Sequence, residues 1–264
     1  MRPLRFGAVV LLLLGSMAAS LPEETVAAAG GARAEGPLRP TRVVSLGDSV
    51  PTGAQCDCSP FPVLVAADLA APGQRVGLEQ LAEDGATSDD VAATVEDDLS
   101  DFSATDVVLL EAGANDLADL ADGSDPLPDE AQVDSAAAEA VATVSATVDR
   151  IVPTGARVVV LDYWAVGLDG AVADQEYTPA EQAVQDQLTD SFDDQLQAAV
   201  DAKGARVTFV GLRQVFHGDD GSLDPTPLLA DDGDHPNAKG QRAIADAVLT
   251  ALSSERATRS PNIR

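Results

Sequence analysis

At 264 residues, with 45% apolar and 23% charged content, the chain is long enough to bury a full core, and one globular domain accounts for its composition. No sequence repeats at a fixed period, which excludes a solenoid or propeller. A formal net charge of -28 excludes a protein that grips nucleic acid or an anionic membrane surface, and fits solubility outside the cell.

Arg2 and Arg5 precede an apolar run over 6–14 and the small residues Gly15, Ser16, Ala18 and Ala19, the pattern of a secretory signal peptide. The run is shorter than the roughly 20 apolar residues a membrane-spanning helix needs, so no stable span is expected. Small-residue cleavage patterns end at Ala18, Ala29 and Ala34, and the sequence does not choose between them. Residues 1–34 are assigned to signal peptide and leader, 35–40 to a linker, 41–253 to the folded domain and 254–264 to a C-terminal tail. The leader has no cysteine to carry a lipid, so the expected destination is extracellular.

Within the domain, five β-rich runs at 42–46, 74–79, 106–111, 157–162 and 206–211 alternate with helical patterns. Such alternation predicts βαβ units in a parallel sheet with helices on both faces, a three-layer α/β/α fold. Phe61, Val65 and Leu69 step at helical spacing, as do Val133, Ala137, Val141, Val144, Val148 and Ile151. Thr178 with Glu181 predicts a capping box opening a helix that Gly204 would stop, and Pro236 predicts the first position of a final helix. With a flavodoxin-like strand order of 2-1-3-4-5, the loops after strands 1, 2 and 3 become neighbours, which brings Ser49, Gly85 and Asn115 together.

Cys56 and Cys58, one residue apart, are the only cysteines. In an oxidising compartment they can pair and pin the loop after Ser49; free thiols or half of a metal site remain alternatives.

A serine hydroxyl is nearly inert at neutral pH, and acyl transfer needs an imidazole to take its proton and a carboxylate to orient that ring. Ser49 ends an apolar strand in Gly47-Asp48-Ser49, and His235 follows Asp232 by three residues. His217 is the only other histidine and lacks such a context. With Gly85 in Glu83-Asp84-Gly85-Ala86-Thr87 and Asn115 in Gly113-Ala114-Asn115-Asp116, these blocks give the chain a resemblance to the SGNH, or GDSL, hydrolase family from about Thr41 to Leu252.

The resemblance implies Ser49 as nucleophile, His235 as general base and Asp232 as its orienting carboxylate, with the Ser49 N–H, the Gly85 N–H and the Asn115 side-chain amide as oxyanion hole. It implies a cofactor-free and metal-free esterase acting on a lipid or an acylated carbohydrate; the amino-terminal pattern makes it a secreted one, and a monomer is the default expectation for a secreted domain of this size. The alternative is a non-catalytic extracellular protein that binds glycans or lipids on the same fold. An α/β-hydrolase lipase is excluded because no Gly-x-Ser-x-Gly elbow occurs. Secreted lipases of the family often carry several disulfides, whereas this chain has at most one, which leaves carbohydrate deacetylation and thioester or phospholipid cleavage open.

Asp234 competes with Asp232 for the imidazole but, as the immediate neighbour of His235, is expected to point away. Asp48 is expected to shape the turn before Ser49, Asp116 to cap a helix over 117–121, and Gly113 to permit a tight strand exit. Tyr163 and Trp164, just past the fourth strand, are candidates for the pocket wall as well as for the core. The acidic stretches 122–125 and 219–224 lack EF-hand spacing and are assigned to solvated turns.

Overall fold

The structure is a computed structural model and describes residues 40–121 and 126–259. The expected signal peptide and leader, the linker except Pro40, the acidic stretch 122–125 and the last five residues lie outside the described residues.

Five strands, β1 (Arg42–Gly47), β2 (Gly77–Gln80), β3 (Asp106–Glu111), β4 (Arg157–Leu161) and β5 (Val207–Val210), form one parallel sheet in the order β2-β1-β3-β4-β5. The topology expected from the alternating pattern is the one observed. β3 is buried at every position, as a central strand covered on both faces must be. Each Val or Leu side chain taken from water there contributes about 1.5–3 kcal/mol.

Helices α1 (Ser49–Thr52), α2 (Phe61–Leu69), α3 (Ser88–Asp98), α4 (Ala114–Ala121), α5 (Glu130–Ile151), α6 (Gly170–Glu176), α7 (Pro179–Asp201), α8 (Arg213–His217) and α9 (Ala238–Arg259) fill the connections. α2 packs on α9, while α3, α5 and α7 pack in series, giving the two outer layers of the α/β/α sandwich. The capping box at the start of α7 is present, with the Thr178 side chain accepting from the Glu181 N–H and the Glu181 side chain from the Thr178 N–H.

Three boundaries differ from expectation for local reasons. β2 begins at Gly77 rather than at 74, because Pro72 and Gly73 form a turn in which the Gln74 N–H donates to the Ala71 carbonyl at 2.8 Å. α9 begins at Ala238 rather than at Pro236: Pro236 bridges to Leu229, and the Asn237 side chain accepts from the Lys239 and Gly240 N–H groups, so asparagine supplies the cap. The same helix continues to Arg259, so residues 254–259 are helical; the next helix-breaking residue is Pro261.

Candidate active site

Ser49 stands where β1 must turn sharply into α1. Gly47 has φ 137°, and a Cβ there would lie 1.9 Å from the Glu111 carbonyl oxygen, so only glycine can end this strand. Asp48 then caps α1, its Oδ1 accepting from the Val50 N–H at 3.1 Å. Ser49 is the first residue of the short helix, half-buried, and Gly53 closes that helix with φ 81°. The turn-shaping role expected of Asp48 is therefore present.

Asp48 is also fully buried and accepts a short hydrogen bond from the Tyr163 hydroxyl. Burial pushes its carboxyl up to about 6 against the opposing pull of the Tyr163 and Val50 hydrogen bonds. Burial, with Asp48 and Glu111 nearby, likewise drives the Tyr163 phenol well above its ordinary range.

His235 lies on the loop between α8 and α9, held by its own carbonyl, which accepts from the Ala230 N–H at 2.7 Å, and by the Leu229–Pro236 bridge. Its Nδ1 is 2.7 Å from Asp232 Oδ2, while Asp232 Oδ1 accepts from the backbone N–H groups of Asp234 and His235, each at 3.1 Å. Burial pushes the Asp232 carboxyl up, but the His235 and Asp234 hydrogen bonds outweigh it and hold the group below the usual carboxylate range. Asp234 corrects an expectation: its carboxylate does not point away but stands 3.5 Å from the same Nδ1 and lines the cavity in front of it. Burial raises this second carboxyl.

Asn115 is the second residue of α4, half-buried, with its Nδ2 donating to the Ala86 carbonyl at 2.9 Å. That bond fixes the amide and uses one of its two N–H groups. Asp116 does not cap a helix at 117, because the helix starts three residues earlier; its carboxylate instead accepts from Ser88 N–H at 2.8 Å and Ser88 Oγ at 2.6 Å, fastening α3 to α4. Gly85 sits in an exposed turn with φ 78°, tied to α1 through a short Thr52–Asp84 hydrogen bond. At Gly113, φ 133° and the Phe192 ring 2.4 Å from a would-be Cβ explain the glycine at this strand exit.

Ser49, Asn115 and His235 line one cavity of about 340 Å³, within the range of small-molecule sites. Gly85 is not among its wall residues. Tyr163 and Trp164 are in the wall, yet both are only 1% exposed and equally part of the core. Trp164 stacks on Phe216 with centroids 4.2 Å apart. Cys56 and Cys58 are joined in a disulfide on the loop that follows α1, with Gln55 at φ 56° just before Cys56 and Asp57 at φ 49° between the two cysteines.

Two features escaped the sequence. Gln241 of α9 is completely buried; its Nε2 donates to the Val50 carbonyl at 3.0 Å and its Oε1 accepts from the Phe61 N–H at 2.7 Å. It ties the turn bearing Ser49 to the helix that follows His235. Beneath the site, Glu111, Asp162 and Asp193 form a buried acidic group with Asp48. Burial, together with Asp48 and Asp162, pushes Glu111 well up, and burial raises Asp162 to about 7 despite the Leu212 N–H. Burial and the Asp162 charge raise Asp193 to about 9.

A hydroxyl, an imidazole held by a carboxylate and a fixed amide thus stand together at one cavity of an α/β/α sheet. Residues 45–243 match the model of the GDSL-like lipase/acylhydrolase family, and the chain belongs to that family of ester-hydrolysing enzymes. Among solved structures it is similar to a lipase from a goat rumen metagenome, with 16% identity, TM-score 0.64, and coverage of 80% of this chain and 96% of that one. It is similar to an acetylxylan esterase from Geobacillus stearothermophilus, with 19% identity, TM-score 0.56, and coverage of 82% and 96%. An extracellular lipase from Streptomyces rimosus aligns with 23% identity, TM-score 0.57, and coverage of 80% and 99%. No curated protein sequence matches significantly.

Proposed function

We propose that this protein is a secreted esterase that cleaves carboxylic esters through an acyl-enzyme on Ser49. His235 takes the Ser49 proton as the hydroxyl oxygen attacks the ester carbonyl, and returns it to the departing alkoxide as the tetrahedral intermediate collapses. Water, deprotonated by the same imidazole, then attacks the acyl carbon; the Ser49 Oγ–C bond breaks, the imidazolium returns the proton to Oγ, and the acid is released. Asp232 fixes the ring through Nδ1 and stabilises the imidazolium that forms in both halves. In this reading the Ser49 N–H, the Gly85 N–H and the remaining Asn115 amide N–H stabilise the oxygen that gains charge, and loss of one such donor costs about 2.7–4 kcal/mol in the transition state.

The observation that carries this reading is the 2.7 Å contact between His235 Nδ1 and Asp232, in a residue pair whose imidazole shares a cavity with Ser49 and Asn115. Secretion rests on the amino-terminal pattern of charge, apolar run and small residues. Resemblance to a lipase and an acetylxylan esterase supports lipid or acylated carbohydrate as substrate.

Rates across p-nitrophenyl esters from acetate to palmitate test the reading, with Ser49→Ala as the blank. Turnover by the wild type and none above background by a folded Ser49→Ala is the expected result; equal rates for the two reject Ser49 as nucleophile.

A further inference from the structure

Behind the segment that follows β4 lies a second cavity of about 330 Å³, large enough for a small-molecule group. It shares Trp164, Ala165, Leu168 and Gln185 with the cavity at Ser49, so one layer of residues walls both. The two differ in chemistry. Around the second, Asp169, Asp174, Asp186 and Asp224 supply carboxylates, Gln182 an amide and His217 an imidazole, and neither lysine nor arginine lines it.

That lining disfavours anions, since its four carboxylates outnumber the one nearby cation, Arg213, which is itself paired with Asp186. It suits hydroxyls, which donate to carboxylates in charge-assisted bonds. Part of the lining is already built. Asp169 Oδ1 accepts from the Gly170 N–H at 2.7 Å, which anchors this carboxylate at the start of α6; its Oδ2 lies 2.9 Å from His217 Nε2 but is buried without a hydrogen bond among the described residues. Asp174 and Asp186 are exposed, and each is held only by a long contact that a ligand hydroxyl can replace: Asp174 accepts from Gln182 Nε2 at 3.3 Å and Asp186 lies 3.4 Å from Arg213 Nη2. A second observation points the same way: the buried indole N–H of Trp164, in the shared wall, meets no acceptor among the described residues. The backbone joins the two sites as well, because the Asp169 N–H donates to the carbonyl of Gly233, between Asp232 and Asp234, at 2.8 Å.

We propose that the cavity lined by Asp169, Asp174, Asp186 and His217 is a subsite for the neutral, hydroxyl-rich alcohol portion of the ester, such as a sugar ring. This rests on ester cleavage at Ser49. A phospholipid headgroup is excluded by its charge, and a cationic alcohol such as choline is the competitor that acidic lining would also accept.

The test compares kcat/KM for a monoacetylated methyl glucoside, acetylcholine and p-nitrophenyl acetate, in the wild type and in Asp174→Ala/Asp186→Ala. The expected result is a preference for the glucoside ester that the double variant loses by about tenfold or more, through KM, since hydrogen bonds to charged groups contribute about 1.5–3 kcal/mol. p-Nitrophenyl acetate, which has no sugar, should be unchanged. Calorimetric binding of the glucoside ester to Ser49→Ala, weakened by the same double substitution, provides a readout independent of turnover. A preference for acetylcholine, or equal losses on all three esters, overturns the subsite. Absence of wild-type turnover of p-nitrophenyl acetate instead removes the ester reading on which it rests.

Discussion

Two carboxylates compete for one imidazole nitrogen, and their surroundings separate their roles. Asp232 sits 2.7 Å from His235 Nδ1 and is held ionised by three hydrogen bonds, whereas Asp234 is 3.5 Å away and its carboxyl is raised by burial. Asp232→Asn should lower kcat by about 10²–10⁴-fold with little change in KM, the range of a lost acid–base contribution. The value should fall towards the lower end, because Asp234 is near enough to take over part of the orientation. Asp234→Asn should cost far less. Steady-state kinetics on a short aryl ester measures both, and equal losses for the two variants would refute the assignment of Asp232.

Among the elements, the contact between α9 and α1 has the clearest energetic prediction. Gln241→Ala removes the acceptor of the Phe61 N–H at the start of α2 and one donor to the Val50 carbonyl, which keeps the Gly53 N–H. A buried donor left without partner costs about 1–3 kcal/mol, so chemical denaturation should show a loss of that size. Activity should fall too, because the turn bearing Ser49 loses its link to the helix after His235. Why Gln241 was illegible in the sequence is plain: its partners lie 180 and 191 residues away, and only the folded chain brings them together. The strands were legible for the opposite reason, since runs such as Val107-Val108-Leu109-Leu110 state their own burial. Ser49, Asn115 and His235 were legible because strand order alone makes the first and third loops neighbours, while the place of His235 rested on the motif. The orientation of Asp234 depends on the turn at Gly233, with φ 72°, where Val172 would lie 2.4 Å from a side chain; that packing has no local signature.

For the whole molecule, the buried acids set the response to pH. Asp48, Asp162 and Asp193 have carboxyls at about 6, 7 and 9 in the fold, against about 4 in the unfolded chain. The native state therefore holds more protons than the unfolded state between those limits, and its stability falls as pH rises from about 4 to 9. Asp232 runs the other way, being lowered in the fold, and its contribution is lost only as pH drops below about 4. The unfolding temperature should accordingly be highest near pH 4–5 and decline towards pH 9. Asp162→Asn keeps an oxygen for the Leu212 N–H without the charge, so it should recover a few kcal/mol at pH 9 and change little at pH 5. Thermal melts of both proteins at the two pH values decide this, and parallel curves would show that Asp162 titrates normally.

The central claim is that Ser49 becomes acylated. Treating the protein with a p-nitrophenyl alkylphosphonate, then measuring intact mass, peptide position and residual activity, tests it most directly. One phosphonyl group per chain is expected, located on Ser49, with activity lost in proportion to labelling. An active enzyme that remains unlabelled, or a label on another residue with matching loss of activity, would contradict it.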